Sequence, residues 1–154
     1  MRSRPLSLLS GLFLLGCATA YQPKGLTGGF AETSLGNDMY QVRFQGNGYT
    51  SQDRASEFLL RRCAELTLEQ GKRYFALGDS DRQTSTSSGA GMWFSFPHGQ
   101  AVVRVLSDKS ADPMAVDAVA VIKDTDALAA GALSAKARET LLGIETQTSA
   151  PAPK

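Results

Sequence analysis

Hydrophobic and polar positions fall in blocks along this chain, and their period changes from block to block. Pro5–Leu15 is an apolar run of about eleven residues behind Arg2 and Arg4. A membrane-spanning helix needs roughly 20, so the run is too short to persist as one. Tyr40, Val42 and Phe44 alternate with Gln41 and Arg43, the period of a half-buried strand. A weaker run, Phe30 to Leu35, precedes it across Gly36-Asn37-Asp38, which predicts a hairpin. From Ala55 the period becomes helical: Ala55, Leu59, Cys63 and Leu66 recur, flanked by Phe58, Leu60 and Ala64. Thr50-x-x-Asp53 has the capping-box arrangement and Gly71 suits a left-handed C-cap, so a main helix is predicted over about 50–70. Cys63 lies on its apolar stripe and is expected to be buried. Glu57, Arg61 and Glu65 follow at i,i+4 spacing and are expected on the side away from that stripe.

Past the main helix, Arg73–Gly78 reads as a short apolar strand, joined closely enough to lay the helix on a sheet. Asp79 to Gly91 is small and polar and predicts a mobile loop. Met92-Trp93-Phe94-Ser95-Phe96-Pro97 follows, with the only tryptophan. It has three readings: a strand whose aromatics close the core, an interaction patch of Trp93, Phe94 and Phe96, or a segment dipping into a membrane interface. Ala101–Leu106 is nearly continuous and β-branched, as a central strand would be. Asp112-Pro113 supplies an N-cap and first-turn pair for a second helix over about 113–130, with Met114, Ala118, Val121 and Ile122 on one face. A strand at Ala118–Ile122 is the rival. Ser134 caps a short helix to Leu142, ended by Gly143, and 146–154 reads as a disordered tail. The expected fold is α+β: a small antiparallel or mixed sheet carrying one main helix, with a second helix behind it.

Leu14-Leu15-Gly16-Cys17 closes the first apolar run. A cationic start and a short apolar core make a secretory signal, and these four residues resemble the lipobox of bacterial lipoproteins. The resemblance implies cleavage before Cys17 and acylation of that cysteine; an ordinary signal cut after Ala18-Thr19-Ala20 is the alternative. Two or more acyl chains suffice for stable membrane attachment. Ala18, rather than Asp, implies by the same resemblance the periplasmic face of the outer membrane. The expected organisation is a signal peptide at 1–16, a lipidated N-terminus and tether at 17–29, one domain at 30–145, and the tail.

Composition changes once that signal is removed. Taking residues 1–16 off the 154 leaves 138, enough for one domain with its own core. Losing Arg2 and Arg4 lowers Lys+Arg from 16 to 14 against 15 Asp+Glu, so the mature charge is about −1. No basic excess exists to hold nucleic acid or anionic lipid. With Cys17 acylated, Cys63 has no cysteine within the chain to pair with.

Candidate chemistry is sparse. His98 is the only histidine, which rules out a multi-histidine metal site, and a Cys63/His98 nucleophilic pair would need a helix thiol to meet a distant loop. Asp79-Ser80-Asp81 alternates carboxylates, but no glutamate follows at EF-hand spacing. No nucleophile elbow, phosphate loop or zinc-spaced cluster occurs, and neither cofactor nor metal is expected.

Three segments carry a second resemblance: Tyr21-x-Pro23-x-Gly25-x-Thr27-Gly28-Gly29-Phe30, Phe44-x-Gly46-Asn47-Gly48-Tyr49-Thr50-Ser51 and Leu60-x-Arg62-Cys63-Ala64-Glu65-Leu66-Thr67. Over about residues 17–78 the chain resembles a family of small proteobacterial envelope lipoproteins without an assigned biochemical role. The resemblance implies a lipoprotein with one helix packed on strands and adds no chemistry. The resulting expectation is a non-enzymatic, membrane-anchored envelope protein acting through contacts with an envelope partner. A periplasmic ligand-binding or sensing module using a pocket beside residues 79–99 is the second reading, and an envelope hydrolase without histidine the third.

Overall fold

The computed structural model describes residues 19–89, 92–125 and 133–149; for 79–96 and 146–149 the description covers the backbone only. Among the described residues five strands form one antiparallel sheet in the order β1-β2-β4-β3-β5. They are β1 (Gly29–Gly36), β2 (Met39–Gln45), β3 (Tyr74–Gly89), β4 (Met92–Leu106) and β5 (Val116–Asp117). Helix α1 (Gln52–Glu69) lies on one face, and α2 (Ala118–Thr125) and α3 (Ala135–Ser149) pack against it. The fold is α+β, as the block pattern predicts.

The β1–β2 hairpin closes through Asn37 and Asp38 at φ 52° and 60°, the left-handed pair that a two-residue turn matched to strand twist requires. Helix α1 ends in a Schellman motif: Lys72 N–H donates to the Thr67 carbonyl at 3.1 Å and Gly71 N–H to that of Leu68 at 2.9 Å. Gly71 sits at φ 71°, where a side chain would strain the backbone. At the other end Ser51, not Thr50, is the N-cap, accepting from Arg54 N–H at 3.2 Å. Thr50 is diverted because its hydroxyl serves two other backbone donors, Thr19 and Asn47. Strand β4 is central as expected, its Ala101, Val103 and Val105 buried under α1.

Several expectations are corrected. Residues 79–89 are strand, not loop: β3 runs for 16 residues against β4, from Tyr74↔Leu106 to Gly89↔Met92, with a bulge between Leu77 and Ser80. Ladder hydrogen bonds need only a partner backbone, and β4 supplies one regardless of the polarity of the serines and threonines. Trp93, Phe94 and Phe96 lie in a strand, as the first of their three readings has it, and it is the same strand as Ala101–Leu106. Pro97 interrupts nothing, because its carbonyl accepts from Gly46 N–H at 2.8 Å, so its missing donor faces the side where β2 has just ended.

The second helix starts later than expected. Asp112 instead makes a turn, its carboxylate accepting from Met114 N–H at 2.9 Å, and Asp117 caps α2 by accepting from Val119 N–H at 2.9 Å. Of the predicted face, Ala118, Val121 and Ile122 are buried while Met114 is exposed. Ser134 does cap α3, accepting from Ala137 N–H at 3.2 Å, but the helix continues through Gly143 to Ser149, into the expected tail.

Cys63 is fully buried on α1, and that burial pushes its thiol up to about 12. Thiol reagents at neutral pH are therefore expected to miss it in the native protein and to react on denaturation; fast native labelling would contradict the burial. The raised native value favours the protonated form. Its contribution to stability is thus complete below the unfolded value near 8.5 and lost as pH climbs towards the native value.

Candidate functional site

The expected tether is the first departure of consequence. Residues 19–28 are not a free leash but a strap laid on the domain. Thr19 is only 3% exposed; its N–H donates to Thr50 Oγ1 at 3.1 Å and its hydroxyl to the Thr27 carbonyl at 2.8 Å. Beyond it the strap runs parallel to β1, with Phe30 N–H donating to the Gln22 carbonyl at 2.9 Å and Lys24 N–H to that of Phe30 at 2.7 Å. The approach is close enough to demand glycine. A Cβ on Gly29, at φ 128°, would stand 2.4 Å from the Gln22 carbonyl oxygen. Leu26 is fully exposed at the turn of the strap.

Tyr21 locks the strap down. Its ring centroid lies 4.9 Å from Phe30 and 5.3 Å from Phe58, and its hydroxyl donates to Glu65 Oε2. Burial, and then the neighbouring Glu65 carboxylate, push the phenol far above its usual range, so it is a donor and not a nucleophile at neutral pH.

Glu65 belongs to a second feature the helical period did not predict. Arg61 is 0% exposed and Glu65 1%, although both fall on the side of α1 expected to face water. Arg61 Nε donates to Glu65 Oε1 at 3.0 Å and its Nη1 to the Thr125 hydroxyl of α2 at 3.3 Å. Arg62 reaches Glu65 Oε2 at 3.2 Å, Glu69 through two bonds of 3.0 Å, and Glu32 of β1 through bonds of 2.9 and 3.2 Å. Burial works against the Arg62 charge, but the hydrogen bonds to Glu32 and Glu69 outweigh it and hold the guanidinium charged. Both guanidiniums also face rings: Arg61 lies 5.5 Å from the Tyr21 centroid and Arg62 4.8 Å from that of Phe30. Among the described residues no buried side-chain nitrogen or oxygen lacks a partner. The cluster ties β1, α1, α2 and the strap together.

An open cleft of about 710 Å³ borders the cluster, lined in part by Tyr21, Lys24, Glu32, Arg62 and Glu69. The acidic and guanidinium groups on its wall are bound to one another, an arrangement suited to holding the strap. A smaller cleft of about 350 Å³, with Arg43, Gln45, His98 and Gln100 on its wall, lies beside the segment named for the ligand-binding alternative.

The predicted site residues divide as follows. Leu14, Leu15, Gly16 and Cys17 lie outside the described residues, Cys17 two positions before Thr19. Trp93, Phe94 and Phe96 are placed by backbone, near the end of β4, paired with Ser88, Ser87 and Ser85. Cys63 and His98 are not brought together: Cys63 lines a cleft with Ala101 on the helix-covered face, whereas His98 is three register positions away and so on the opposite face. Asp79 and Asp81 fall in β3, and among the described residues no three His, Cys, Asp and Glu side chains are placed to hold a metal.

The strap and the charge cluster are what the sequence reasoning missed. One signal was available. Arg61-Arg62 and Glu65 sit inside Phe58-Leu59-Leu60-x-x-Cys63-Ala64-x-Leu66, apolar on more of the helix circumference than a one-sided helix needs. Comparison with protein-family models, characterised proteins and solved structures finds no match for the chain.

Proposed function

We propose that the protein is an envelope lipoprotein. Acyl chains on Cys17 hold its α+β body at the periplasmic face of the outer membrane, where it works without catalysis, through contacts with envelope partners. The observation that carries this is the Leu14-Leu15-Gly16-Cys17 segment, two residues before Thr19, which is docked on the domain. Cleavage before Cys17 keeps Thr19, whose N–H and hydroxyl dock the strap. An ordinary cut after Ala20 would discard it. The groups with chemical potential are otherwise engaged: the Cys63 thiol is buried away from His98, and Tyr21 and Glu65 are bound to each other and to Arg61 and Arg62. That engagement supports a scaffold more than an active site.

Cys17→Ser is expected to abolish palmitate incorporation and to move the protein out of the membrane fraction. Continued labelling, or a mature N-terminus at Tyr21 by mass spectrometry, would refute the proposal.

A further inference from the structure

The strap and the longest strand pair leave the sheet at the same end. The last β2–β4 pair is Gln45↔His98, yet β3 and β4 remain paired for six more positions, from Thr84↔Pro97 to Gly89↔Met92. At about 3.4 Å per residue, that is an arm reaching roughly 20 Å beyond the sheet. Thr19 sits at this same end, its side chain close to Gly28 and its N–H on Thr50, beside Gly46, whose N–H meets Pro97. Because the strap runs parallel to β1, and β1 and β4 both run antiparallel to β2, the start of the strap at Thr19 lies towards the arm.

Resting on the lipoprotein reading, the distances then conflict with an arm held in water. From Thr19 back to Cys17 is two residues, at most about 7 Å of chain. The arm is about three times as long as that leash. A body held this closely to its acyl anchor drives the end of the arm past the level of Cys17 by roughly 13 Å, through a headgroup layer of about 5–7 Å. The sequence of the arm suits that place. Gln83 to Pro97 contains no Asp, Glu, Lys, Arg or His over 15 residues, in a chain that is 20% charged. Met92, Phe94 and Phe96 share one strand face and Trp93 falls on the other, so apolar and interfacial residue types occur on both sides near the end. A protein partner would satisfy the composition but not the leash.

We infer that the β3–β4 arm enters the interfacial layer of the same bilayer that holds Cys17, forming a second membrane contact that sets the orientation of the body. Trp93 is the only tryptophan, so it reports the contact without any substitution. The full chain, processed in a Gram-negative host and extracted from its membranes, is reconstituted in phosphatidylethanolamine/phosphatidylglycerol vesicles brominated at shallow or deep acyl positions. The expected result is a blue-shifted emission that loses most of its intensity with shallow bromines and less with deep ones. Emission that ignores bromine at both depths, in protein shown to carry palmitate, overturns the arm contact and leaves the lipoprotein reading standing. The same negative result combined with loss of Trp93 accessibility on adding an envelope extract assigns the arm to a protein partner instead. Absence of palmitate removes both readings together.

Discussion

Glu65→Ala is expected to lower the unfolding free energy by about 3–5 kcal/mol, the cost of removing one partner from a buried ion pair. Arg61 and Arg62 share this carboxylate, Tyr21 donates to it, and the two arginines are 0% and 6% exposed. Removing it takes one acceptor from all three at once. In urea the midpoint should fall by about 2 M for a chain of this size. The paired change Arg61→Met with Glu65→Leu separates a charge effect from a packing effect. It removes a charge of each sign and fills the space, so it should recover the part of the loss that comes from Arg61, while Arg62 and Tyr21 still lack the Glu65 acceptor. Pairs of this kind are often neutral when both partners are replaced by apolar residues. A Glu65→Ala midpoint indistinguishable from wild type would mean the pair behaves like an exposed one, whose typical worth is 0–1 kcal/mol, and the clamp would not exist.

Gly29→Ala tests the strap without touching the cluster. The added Cβ meets two backbone oxygens, Gln22 at 2.4 Å and Pro23 at 2.8 Å, and neither can rotate away as a side chain would. The residue is also held at φ 128°, a region open to glycine and costly for alanine. The strap should therefore detach locally while the sheet stays folded. Trypsin cleavage after Lys24, exposed on the strap, should accelerate about 100-fold, the equivalent of roughly 2.7 kcal/mol of local opening. The urea midpoint should move less than in Glu65→Ala. An unchanged cleavage rate would show that the strap is already open in solution, and the short leash between Cys17 and the domain would become a long one. The orientation argued for the β3–β4 arm depends on that difference.

The consequence for function is mechanical. A lipoprotein on a free tether samples many orientations; one whose chain is docked from Thr19 onward is held against its membrane. The strap is fixed through Tyr21 to the charge cluster, so on the proposed lipoprotein reading the stability of the cluster and the position at the membrane would be coupled. Loss of Glu65 should loosen both.

Much of this was legible before any tertiary structure, and the legible parts share a cause. The Asn37-Asp38 turn, the Schellman end of α1 at Gly71 and the burial of Val42, Phe44 and Cys63 depend on backbone preference and on periods of two to four residues. Those signals are complete within a short window of sequence. The signal segment proposed to end at Cys17 lies outside the described residues, and its reading too rests only on local composition and a four-residue motif.

What the tertiary structure alone decided is what lies far apart along the chain. Tyr21 meets Glu65 across 44 residues and Arg61 meets Thr125 across 64, so no window around residue 61 contains the groups that exclude water from it. Amphipathic spacing reports one buried face; it is silent about a second layer formed by α2, α3 and the strap. Residues 79–89 became strand for the same reason. Serine and threonine are poor at ordering themselves by burial, but a neighbouring strand satisfies their backbone whatever their side chains are. That neighbour, β4, starts only at Met92. Local physics thus determined most of the elements, while long-range packing decided that the helix carries a buried charge cluster, that residues 19–28 form a strap, and that the aromatic segment stands on an arm at the end of the sheet where Thr19 is docked.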